Sequence, residues 1–359
     1  MAKISLKNIA HSYDGGKSFA LQALSHDWED GGAYALLGPS GCGKTTLLNI
    51  ISGLLHPSQG QLLFDGVDVS TLPTEQRNIA QVFQFPVLYD TMTVAENLAF
   101  PLRNRRGANK LSADEIERRV KQAITMLGLE QLAKRKARGL SADNKQKISL
   151  GRGLVRTDVN AILFDEPLTV IDPHLKWQLR TSLKQIHRQF GHTMIYVTHD
   201  QTEALTFADK VVVMLAGEVV QMGTPEELFQ QPEHTFVGKF IGSPGMNILP
   251  CTVQGNQAEI AGQAVPLAQT YPPLAGRVEL GIRPEFIRLA QAGQGVAVQV
   301  QQIEELGRHR IARVKLGADP VDILVPEGVG IPDQPDMVLD PGKVRIYQDS
   351  LLVRGETHA

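Results

Sequence analysis

Residues 38–45 read Gly38-Pro39-Ser40-Gly41-Cys42-Gly43-Lys44-Thr45, an uninterrupted G-x-x-x-x-G-K-T pattern. The apolar run at residues 33–37 indicates a buried strand before it, and a helix is predicted from Thr45 to Ile51, ending near Gly53. Glycines in such a loop let consecutive backbone N–H groups turn towards phosphate oxygens at the positive end of the following helix. This strand–loop–helix setting predicts a nucleotide phosphate loop and not an accidental glycine-rich turn.

The last residues of the loop predict how phosphates would be held. Lys44 is expected to reach the β- and γ-phosphates as a point charge, and the Thr45 hydroxyl is expected to ligate the Mg²⁺ ion that bridges them. We therefore predict a Mg²⁺–nucleotide as the ligand. The predicted nucleotide-binding residues of this segment are Gly38, Pro39, Ser40, Gly41, Cys42, Gly43, Lys44, Thr45 and Thr46.

Composition limits the class of protein. A length of 359 residues suggests roughly two domains. The 36 Lys and Arg against 38 Asp and Glu leave a net charge of −2, without the basic excess that nucleic acid or anionic lipid would attract. The run from Arg103 to Arg106 is interpreted as a solvated loop face, because it is short and lacks interleaved aromatics.

Two further observations concern the compartment. The two cysteines, Cys42 and Cys251, cannot form a disulfide framework, so a reducing compartment is expected. No stretch approaches the ~18 apolar residues of a membrane span, and the N-terminus lacks the apolar region of a signal peptide. Any membrane association is therefore expected to come through a partner.

The pattern of apolar and polar residues changes along the chain. Up to about Asp30, short strands and turns predict an antiparallel β layer, and from Tyr34 onward the pattern becomes α/β. Parallel strands are predicted at 33–37, 161–165, 193–198 and 210–215. A charged helical subdomain is expected at about residues 87–157, where Ser112 and Glu115 form a plausible capping box for a helix from Glu115 to Leu127.

After Phe240, prolines separate short alternating strands such as 296–300 and 312–316. This pattern predicts a small second domain that resembles a β-barrel. We expect the first domain to occupy residues 1–238 and the second to occupy residues 239–359.

The predicted strand 161–165 ends in two carboxylates, Asp165 and Glu166, followed by Pro167. The carboxyl ends of strands are where α/β sheets place ligand chemistry. Asp165 would hold Mg²⁺ through water, and Glu166 would polarise the water that attacks the γ-phosphate. The alternative is a simple strand-end turn closed by the proline.

Gln84, Asp172 and His199 complete a set with the phosphate loop and the carboxylates, and five motifs occur in order. The first 235 or so residues resemble the nucleotide-binding subunit of an ABC transporter. The resemblance implies that ATP is the nucleotide, that Tyr13 stacks on adenine, and that Gln84 senses Mg²⁺ and a transmembrane partner. It also implies that Asp172 contacts an opposing subunit and that His199 holds the γ-phosphate and the attacking water.

The second domain resembles the oligonucleotide-fold-like (TOBE/MOP-type) regulatory domain of sugar importer ATPases of the maltose and glycerol-phosphate type. The segments that carry this resemblance are 240–249, 281–285 and 302–307. The expected fold is therefore an α/β P-loop NTPase of the ABC type with a helical subdomain, followed by a small all-β domain.

The resemblance implies a place and a set of partners. It points to import of a carbohydrate or polyol at the cytoplasmic face of a bacterial inner membrane. The direct partners would be transmembrane permease subunits, and a periplasmic or lipid-anchored substrate-binding protein would act indirectly. No nucleic acid partner is expected.

One segment departs from the family pattern. The family signature Leu-Ser-Gly-Gly-Gln caps a helix, and its glycines let backbone N–H groups approach the γ-phosphate held by the opposite subunit. Here Leu140 and Ser141 are followed by Ala142, Asp143 and Asn144. Asp143 is predicted to be the N-cap of a helix from residue 145 to 156, worth roughly 1 kcal/mol. A carboxylate ~4 Å from a phosphate would be repelled by ~4 kcal/mol at an effective dielectric near 20, which exceeds that gain.

We therefore hypothesise a head-to-tail dimer with a second, different ATPase chain that has an intact signature. One site would hydrolyse ATP well, and the site built on residues 140–144 would be weak or silent. Importers with two distinct ATPase subunits, including some that take up glycerol, resemble this arrangement. The alternatives are a homodimer, a non-catalytic regulatory subunit, and a soluble ABC ATPase that acts in DNA repair or translation.

Overall fold

The computed structural model describes residues 2–104 and 110–356, which form two compact units, residues 1–225 and 226–359. The part of the predicted basic loop at residues 105 and 106 lies outside the described residues. The domain boundary between residues 238 and 239 stays a prediction. Among the described residues, no helix has the length and apolar composition that crossing a bilayer requires.

The first unit contains ten strands and six helices among its described residues. They are β1 (Ile4–His11), β2 (Leu21–Trp28), β3 (Ala33–Leu37), α1 (Lys44–Ser52), β4 (Gln59–Phe64), β5 (Val67–Asp68), β6 (Ile79–Val82), α2 (Val94–Arg103), α3 (Ala113–Met126), α4 (Ala142–Leu154), β7 (Ala161–Asp165), α5 (Pro173–Phe190), β8 (Met194–Thr198), α6 (Gln201–Phe207), β9 (Lys210–Leu215) and β10 (Glu218–Gly223).

A six-stranded sheet forms the centre of this unit, in the order β10, β9, β3, β8, β7, β6. All its neighbouring strands are parallel except β10, which pairs antiparallel with β9. Strands β3 and β8 are buried at every residue, as their continuous apolar sequences require. Three predicted strands have the predicted bounds, and the fourth begins at Met194, one residue late.

An antiparallel layer is present, in the order β2, β1, β4, β5, but its strands β4 and β5 come from beyond Asp30, where the prediction placed only α/β structure. Trp28 and Ile4 from this layer share one hydrophobic core with Leu36 and Ile195 of the central sheet. The layer therefore packs on the sheet that carries the phosphate loop.

Helices α2, α3 and α4 lie in the region predicted to be helical. Helix α2 begins with a complete capping box between Thr93 and Glu96. Ser112 caps α3 by accepting a hydrogen bond from the Glu115 backbone N–H, so α3 begins at residue 113, two residues earlier than predicted. The Glu115 carboxylate pairs instead with Arg118 and Arg119, at 2.8 and 2.6 Å. Only the first half of the predicted capping box therefore forms.

The second unit is mostly β structure. Helices α7 (Pro225–Gln230) and α8 (Thr235–Phe240) lead into β11 (Asn247–Pro250), β12 (Thr252–Ile260), β13 (Gln263–Tyr271), β14 (Val278–Ile282), β15 (Ile287–Gln291), β16 (Val296–Ala297), β17 (Gln299–Glu305), β18 (His309–Leu316), β19 (Asp319–Pro326), β20 (Pro335–Leu339), β21 (Arg345–Gln348) and β22 (Leu351–Val353).

These strands form small antiparallel sheets around one core that includes Leu280, Ile323 and Ile346. The predicted single strand at 296–300 is two strands, because the chain changes sheets at Val298. Strand β16 pairs with β20, whereas β17 pairs with β18. Alternating burial continues through this switch, which is why the sequence pattern does not reveal it.

Candidate nucleotide site

The phosphate loop connects β3 to the N-terminus of α1, as predicted. Gly41 and Gly43 have φ values of 81° and 99°, in the left-handed region that favours glycine. A Cβ atom on Gly43 would lie 2.7 Å from the Ala20 carbonyl oxygen, so the loop also has no room for a side chain there. The loop glycines are therefore required both by backbone conformation and by packing.

Lys44 is the first residue of α1, and its side chain points back into the phosphate loop. Its side chain is buried, and its Nζ donates hydrogen bonds to the carbonyl oxygens of Gly38 and Pro39, at 2.7 and 2.8 Å. A phosphate group would offer this ammonium a charged acceptor, which forms a stronger hydrogen bond than a neutral carbonyl.

The two predicted Mg²⁺ ligands on α1 and β7 are neighbours. The Thr45 hydroxyl lies close enough to the Asp165 carboxylate to affect its pKa. Burial raises the pKa of Asp165, the charge of Glu166 raises it further, and Thr45 and Lys44 oppose the shift. A partly desolvated carboxylate beside a hydroxyl fits a divalent cation, which would compensate the buried charge.

Gln84 follows β6, which pairs in parallel with β7 so that Val82 is opposite Phe164. Gln84 therefore lies at the same edge of the sheet as Asp165 and Glu166. It is half-buried in the loop that leads to α2. Its predicted roles towards Mg²⁺ and a transmembrane partner stay predictions.

Glu166 and His199, which end neighbouring strands, are in contact. Nδ1 of His199 lies 3.1 Å from Oε2 of Glu166, and the Thr169 hydroxyl donates to the same oxygen at 3.3 Å. Glu166 has a φ of 44°, an unusual value for a residue with a side chain. The structure thus brings the predicted catalytic carboxylate and histidine together at the edge that faces the phosphate loop.

A buried carboxylate that sequence reasoning missed supports the turn before His199. Glu203, on α6, accepts hydrogen bonds from the hydroxyls of Thr198 and Tyr196, at 2.9 and 3.1 Å. Lys176 of α5 pairs with its other oxygen at 3.6 Å. The signal in the sequence was the Asp200-x-x-Glu203 spacing, because Asp200 caps α6 by accepting from the Glu203 backbone N–H.

Tyr13 lies beside the first turn of α1. Its hydroxyl is 3.1 Å from the Thr46 hydroxyl, and its ring packs edge-on against His11, with ring centroids 4.6 Å apart. The residue is 66% exposed, so a ring face is open to a flat ligand. The arrangement is compatible with the predicted stacking on adenine, which stays a prediction.

Asp172 is the N-cap of α5 and accepts a hydrogen bond from the His174 backbone N–H at 2.9 Å. It is exposed. This capping role accounts for an aspartate before Pro173 within one subunit. The predicted contact with an opposing subunit stays a prediction.

The predicted N-cap of the helix after the degenerate signature is wrong. Ser141, not Asp143, is the N-cap of α4: its hydroxyl accepts a hydrogen bond from the Asn144 backbone N–H at 3.3 Å, and the helix begins at Ala142. Serine and aspartate are nearly equal as caps, so composition alone could not choose between them. Asp143 lies inside the first turn, where its negative charge complements the helix dipole, and it pairs weakly with Lys147 at 3.9 Å.

The fold and the site together define a P-loop ATP-binding domain of the ABC type. Comparison with family models agrees: the ABC transporter model matches residues 21–169, the MalK OB fold domain model matches residues 242–287, and the TOBE domain model matches residues 280–336. These matches cover both units of the chain.

The chain is 44% identical over 312 residues to an sn-glycerol-3-phosphate import ATP-binding protein, UgpC 3, of Agrobacterium fabrum, covering 86% of each chain. It is 36% identical over 356 residues to the sulfoquinovosyl glycerol transport ATP-binding protein SmoE of the same organism, covering 97% of this chain and 98% of the relative. The chain therefore belongs to the ATP-binding subunits of ABC import systems, ATPases that work with transmembrane permeases to drive transport.

Solved structures give the same fold. The ATP-binding cassette MJ0796, in a dimeric post-hydrolysis state bound to ADP and Pi, is 29% identical and aligns with a TM-score of 0.55. The alignment covers 62% of this chain and 98% of that cassette. Because the relatives are import subunits, the comparisons argue against the alternative of a soluble ATPase in DNA repair or translation.

Proposed function

We propose that this chain binds Mg²⁺–ATP on the loop 38–46, with Tyr13 against the adenine, and hydrolyses it with Glu166 and His199. The observation that carries the proposal is the 3.1 Å contact between His199 and Glu166 beside the Asp165–Thr45 pair. Two groups that can hold and polarise one water molecule thus lie at the edge of the sheet where the γ-phosphate would be.

Each side chain has a part in this proposal. Lys44 leaves its two carbonyl acceptors for the β- and γ-phosphates, and the backbone N–H groups of the loop bind the remaining phosphate oxygens. Asp165, Thr45 and Gln84 would hold Mg²⁺, which neutralises the charge that develops on the phosphates. Glu166 accepts a hydrogen bond from the attacking water, and His199 orients that water and the γ-phosphate.

The transported substrate is inferred from the relatives. UgpC is named for the import of sn-glycerol-3-phosphate, and SmoE is named for the transport of sulfoquinovosyl glycerol. We propose that this chain powers the uptake of a carbohydrate or polyol, with glycerol or a close relative of it as the first substrate to test. The complex would include a periplasmic or lipid-anchored binding protein, which does not touch this subunit.

The permease would place this subunit at the cytoplasmic face of the bacterial inner membrane. The loop that contains Gln84 is suited to this contact, because Phe85 and Val87 are 69% and 53% exposed. Exposed apolar side chains near a catalytic loop are typical of an interaction surface.

We further propose that the second ATPase of the complex is a different chain with an intact signature. The support is electrostatic: Asp143 lies in the first turn of α4, and a carboxylate there opposes the binding of a γ-phosphate from the partner. A non-catalytic regulatory role for this chain is the second candidate. The loss of both signature glycines favours it, but the intact Lys44, Glu166 and His199 oppose it.

The substitution Glu166→Gln tests the catalytic role. It should abolish ATP turnover by the purified complex while ATP binding is retained, because the amide keeps the shape but cannot accept the proton or polarise water as strongly. A matched control is Glu130→Gln, an exposed carboxylate in the same unit, which should leave turnover unchanged. Unchanged transport in the Glu166 variant would favour the regulatory role.

Mass spectrometry of the intact complex, purified through this chain from its host membrane, tests the dimer. One copy of this chain beside a second ATPase with Leu-Ser-Gly-Gly-Gln supports the asymmetric arrangement. Two copies and no second ATPase contradict it, since Ala142 and Asp143 would then form part of both sites.

A further inference from the structure

Gln146, on α4, joins two loops of the site. Its side chain is fully buried, and its Nε2 donates to the carbonyl oxygens of Phe83 and Pro167, at 3.1 and 2.8 Å. Both partners can only accept, so the amide nitrogen must face them. Phe83 directly precedes Gln84, and Pro167 directly follows Glu166. One amide group therefore links the backbones beside two predicted catalytic residues.

The oxygen of the Gln146 amide indicates that the site requires the amide nitrogen as a donor. Oε1 of Gln146 is buried and has no hydrogen-bond partner among residues 2–104 and 110–356. A buried polar atom without a partner costs about 1–3 kcal/mol. An apolar side chain of the same length would avoid that cost but could not hold either carbonyl.

Helix α4 also holds the far part of the loop that contains Gln84. Lys145 pairs with Asp90 at 2.8 Å, and Arg152 donates to the Val87 carbonyl oxygen at 2.7 Å. The loop is thus attached to α4 at both ends, and a movement of α4 would carry the loop with it.

These contacts lie within one subunit. Helix α4 begins at the degenerate signature, which would serve the nucleotide of a partner, but Gln146 faces the loops of its own subunit. The contacts of Gln146 therefore do not depend on the two lost glycines. A well-formed α4 remains useful to this chain even where its signature binds a nucleotide poorly.

We propose that Gln146 is a positioning residue that holds Gln84 and Glu166 in register for ATP hydrolysis on this chain's own phosphate loop. The proposal rests on the roles proposed above for those two residues. A displacement of a reacting group by about 1 Å is sufficient to lower a rate by about a hundredfold, so a link of this kind matters to turnover.

The test is Gln146→Met in the complete transporter complex, because methionine keeps the length and removes the donor. We expect kcat for ATP hydrolysis to fall about tenfold or more, with KM for ATP within about twofold of the wild type. The Mg²⁺ concentration for half-maximal activity should rise, because Gln84 is a predicted Mg²⁺ ligand. Gln146→Asn, whose shorter amide cannot reach both carbonyls, should lower kcat in the same direction.

The matched control is Asn247→Leu. Asn247 is a buried amide on β11 that donates to the Asp322 carbonyl oxygen and accepts from the Asp322 backbone N–H, at 2.9 Å each, within the second unit. The control should lower Tm to a comparable extent while the Mg²⁺ requirement stays at the wild-type value. It separates loss of a buried hydrogen-bonded amide from loss of positioning.

Glu166→Gln in the same assay distinguishes a failure of the catalytic role proposed for Glu166 from a failure of the positioning role proposed for Gln146. If that variant retains turnover, the role of Glu166 fails and the positioning role fails with it. If it abolishes turnover while Gln146→Met keeps the wild-type kcat and Mg²⁺ requirement, the positioning role alone is overturned. A kcat loss no larger than that of Asn247→Leu also overturns it. If the methionine variant does not assemble, Gln146→Asn provides the same test.

Discussion

Glu166 has two features that a carboxylate in an ordinary strand-end turn does not need. Its backbone has a φ of 44°, which costs free energy in a residue with a side chain, and its carboxylate contacts His199 from the neighbouring strand. A turn closed by Pro167 explains neither feature. The simple structural alternative that the sequence left open is therefore disfavoured at the level of this single residue.

His192 provides a pH-dependent contribution to stability. It is 2% exposed and stacks on Phe190, and burial, assisted by the charge of His187, lowers its pKa to about 4. The unfolded chain takes up this proton near pH 6.5, so between pH 6.5 and about 4 the unfolded state binds more protons. The stability that the neutral histidine contributes is present above pH 6.5 and is lost as the pH falls towards 4.

His192→Phe should therefore reduce the loss of stability on acidification, by at most about 3 kcal/mol over that window. Thermal melts of the wild type and the variant at pH 7.5 and pH 5 measure the effect, and the wild type should lose more in Tm. Exposed His174, in the first turn of α5, provides a comparison: His174→Phe should leave most of the pH dependence intact. Equal pH dependence in the wild type and His192→Phe would contradict the prediction.

At the scale of single elements, α1 depends on Arg77 for its C-terminal end. This arginine is fully buried and donates to the carbonyl oxygens of Ile50 and Ile51, at the end of α1, and to that of Ser70 at 2.9 Å. The helix is capped at its C-terminus by Gly53, with a φ of 83°, where a Cβ would lie 2.7 Å from the Arg77 Nε. A cation at this position also complements the helix dipole.

We expect Arg77→Met to lower the free energy of unfolding by about 3 kcal/mol, because several buried carbonyl oxygens lose their donor at once. Chemical denaturation of the purified chain measures it. The exposed Arg118 is a suitable control, since Arg118→Met removes only a surface ion pair and should cost less than about 1 kcal/mol. Equal stability of the two variants would show that α1 does not need this cap.

Elements with a strong local signal could be predicted from the sequence. Strand β3 and helix α1 were predicted to within one residue, because a continuous apolar run, a glycine loop and a terminal glycine fix them locally. The start of α4 was misplaced by three residues, because Ser141 and Asp143 compete as caps on nearly equal terms.

The burial of the polar residues that support the site could not be predicted in the same way. Glu203 and Gln146 are polar residues within helices, and sequence alone indicates an exposed position for such residues. Both are buried because of partners elsewhere in the chain. Thr198 is 5 positions from Glu203, and Phe83 is 63 positions from Gln146. Only the folded chain brings those partners together.

At the scale of the whole molecule, the two units differ in what they can do alone. The residues predicted to bind the nucleotide or act in catalysis all lie within residues 13–199, in the first unit, and the second unit has its own core. In the proposed asymmetric dimer, Asp143 in the first turn of α4 would weaken the site that this chain forms with the nucleotide of its partner. In an asymmetric dimer the chain gives an intact phosphate loop and receives a signature from the partner, so the two sites of one complex are unequal.

Restoring the signature tests that inequality. The triple substitution Ala142→Gly, Asp143→Gly and Asn144→Gln removes the carboxylate that a γ-phosphate would meet, and we expect ATP turnover by the complex to rise, approaching twofold if the sites act independently. Asp143→Gly alone should give most of the increase, because the charge supplies most of the repulsion.

The control is Asp114→Gly, which removes an acidic residue at the equivalent first-turn position of α3 and should leave turnover unchanged. A triple variant with the wild-type rate would mean that the carboxylate does not limit hydrolysis. In that case the complex tolerates Asp143 at a working site, and the electrostatic argument for a different partner subunit loses its force. A rise confined to the triple variant and Asp143→Gly would instead locate the weakness of the second site in one charge at the start of one helix.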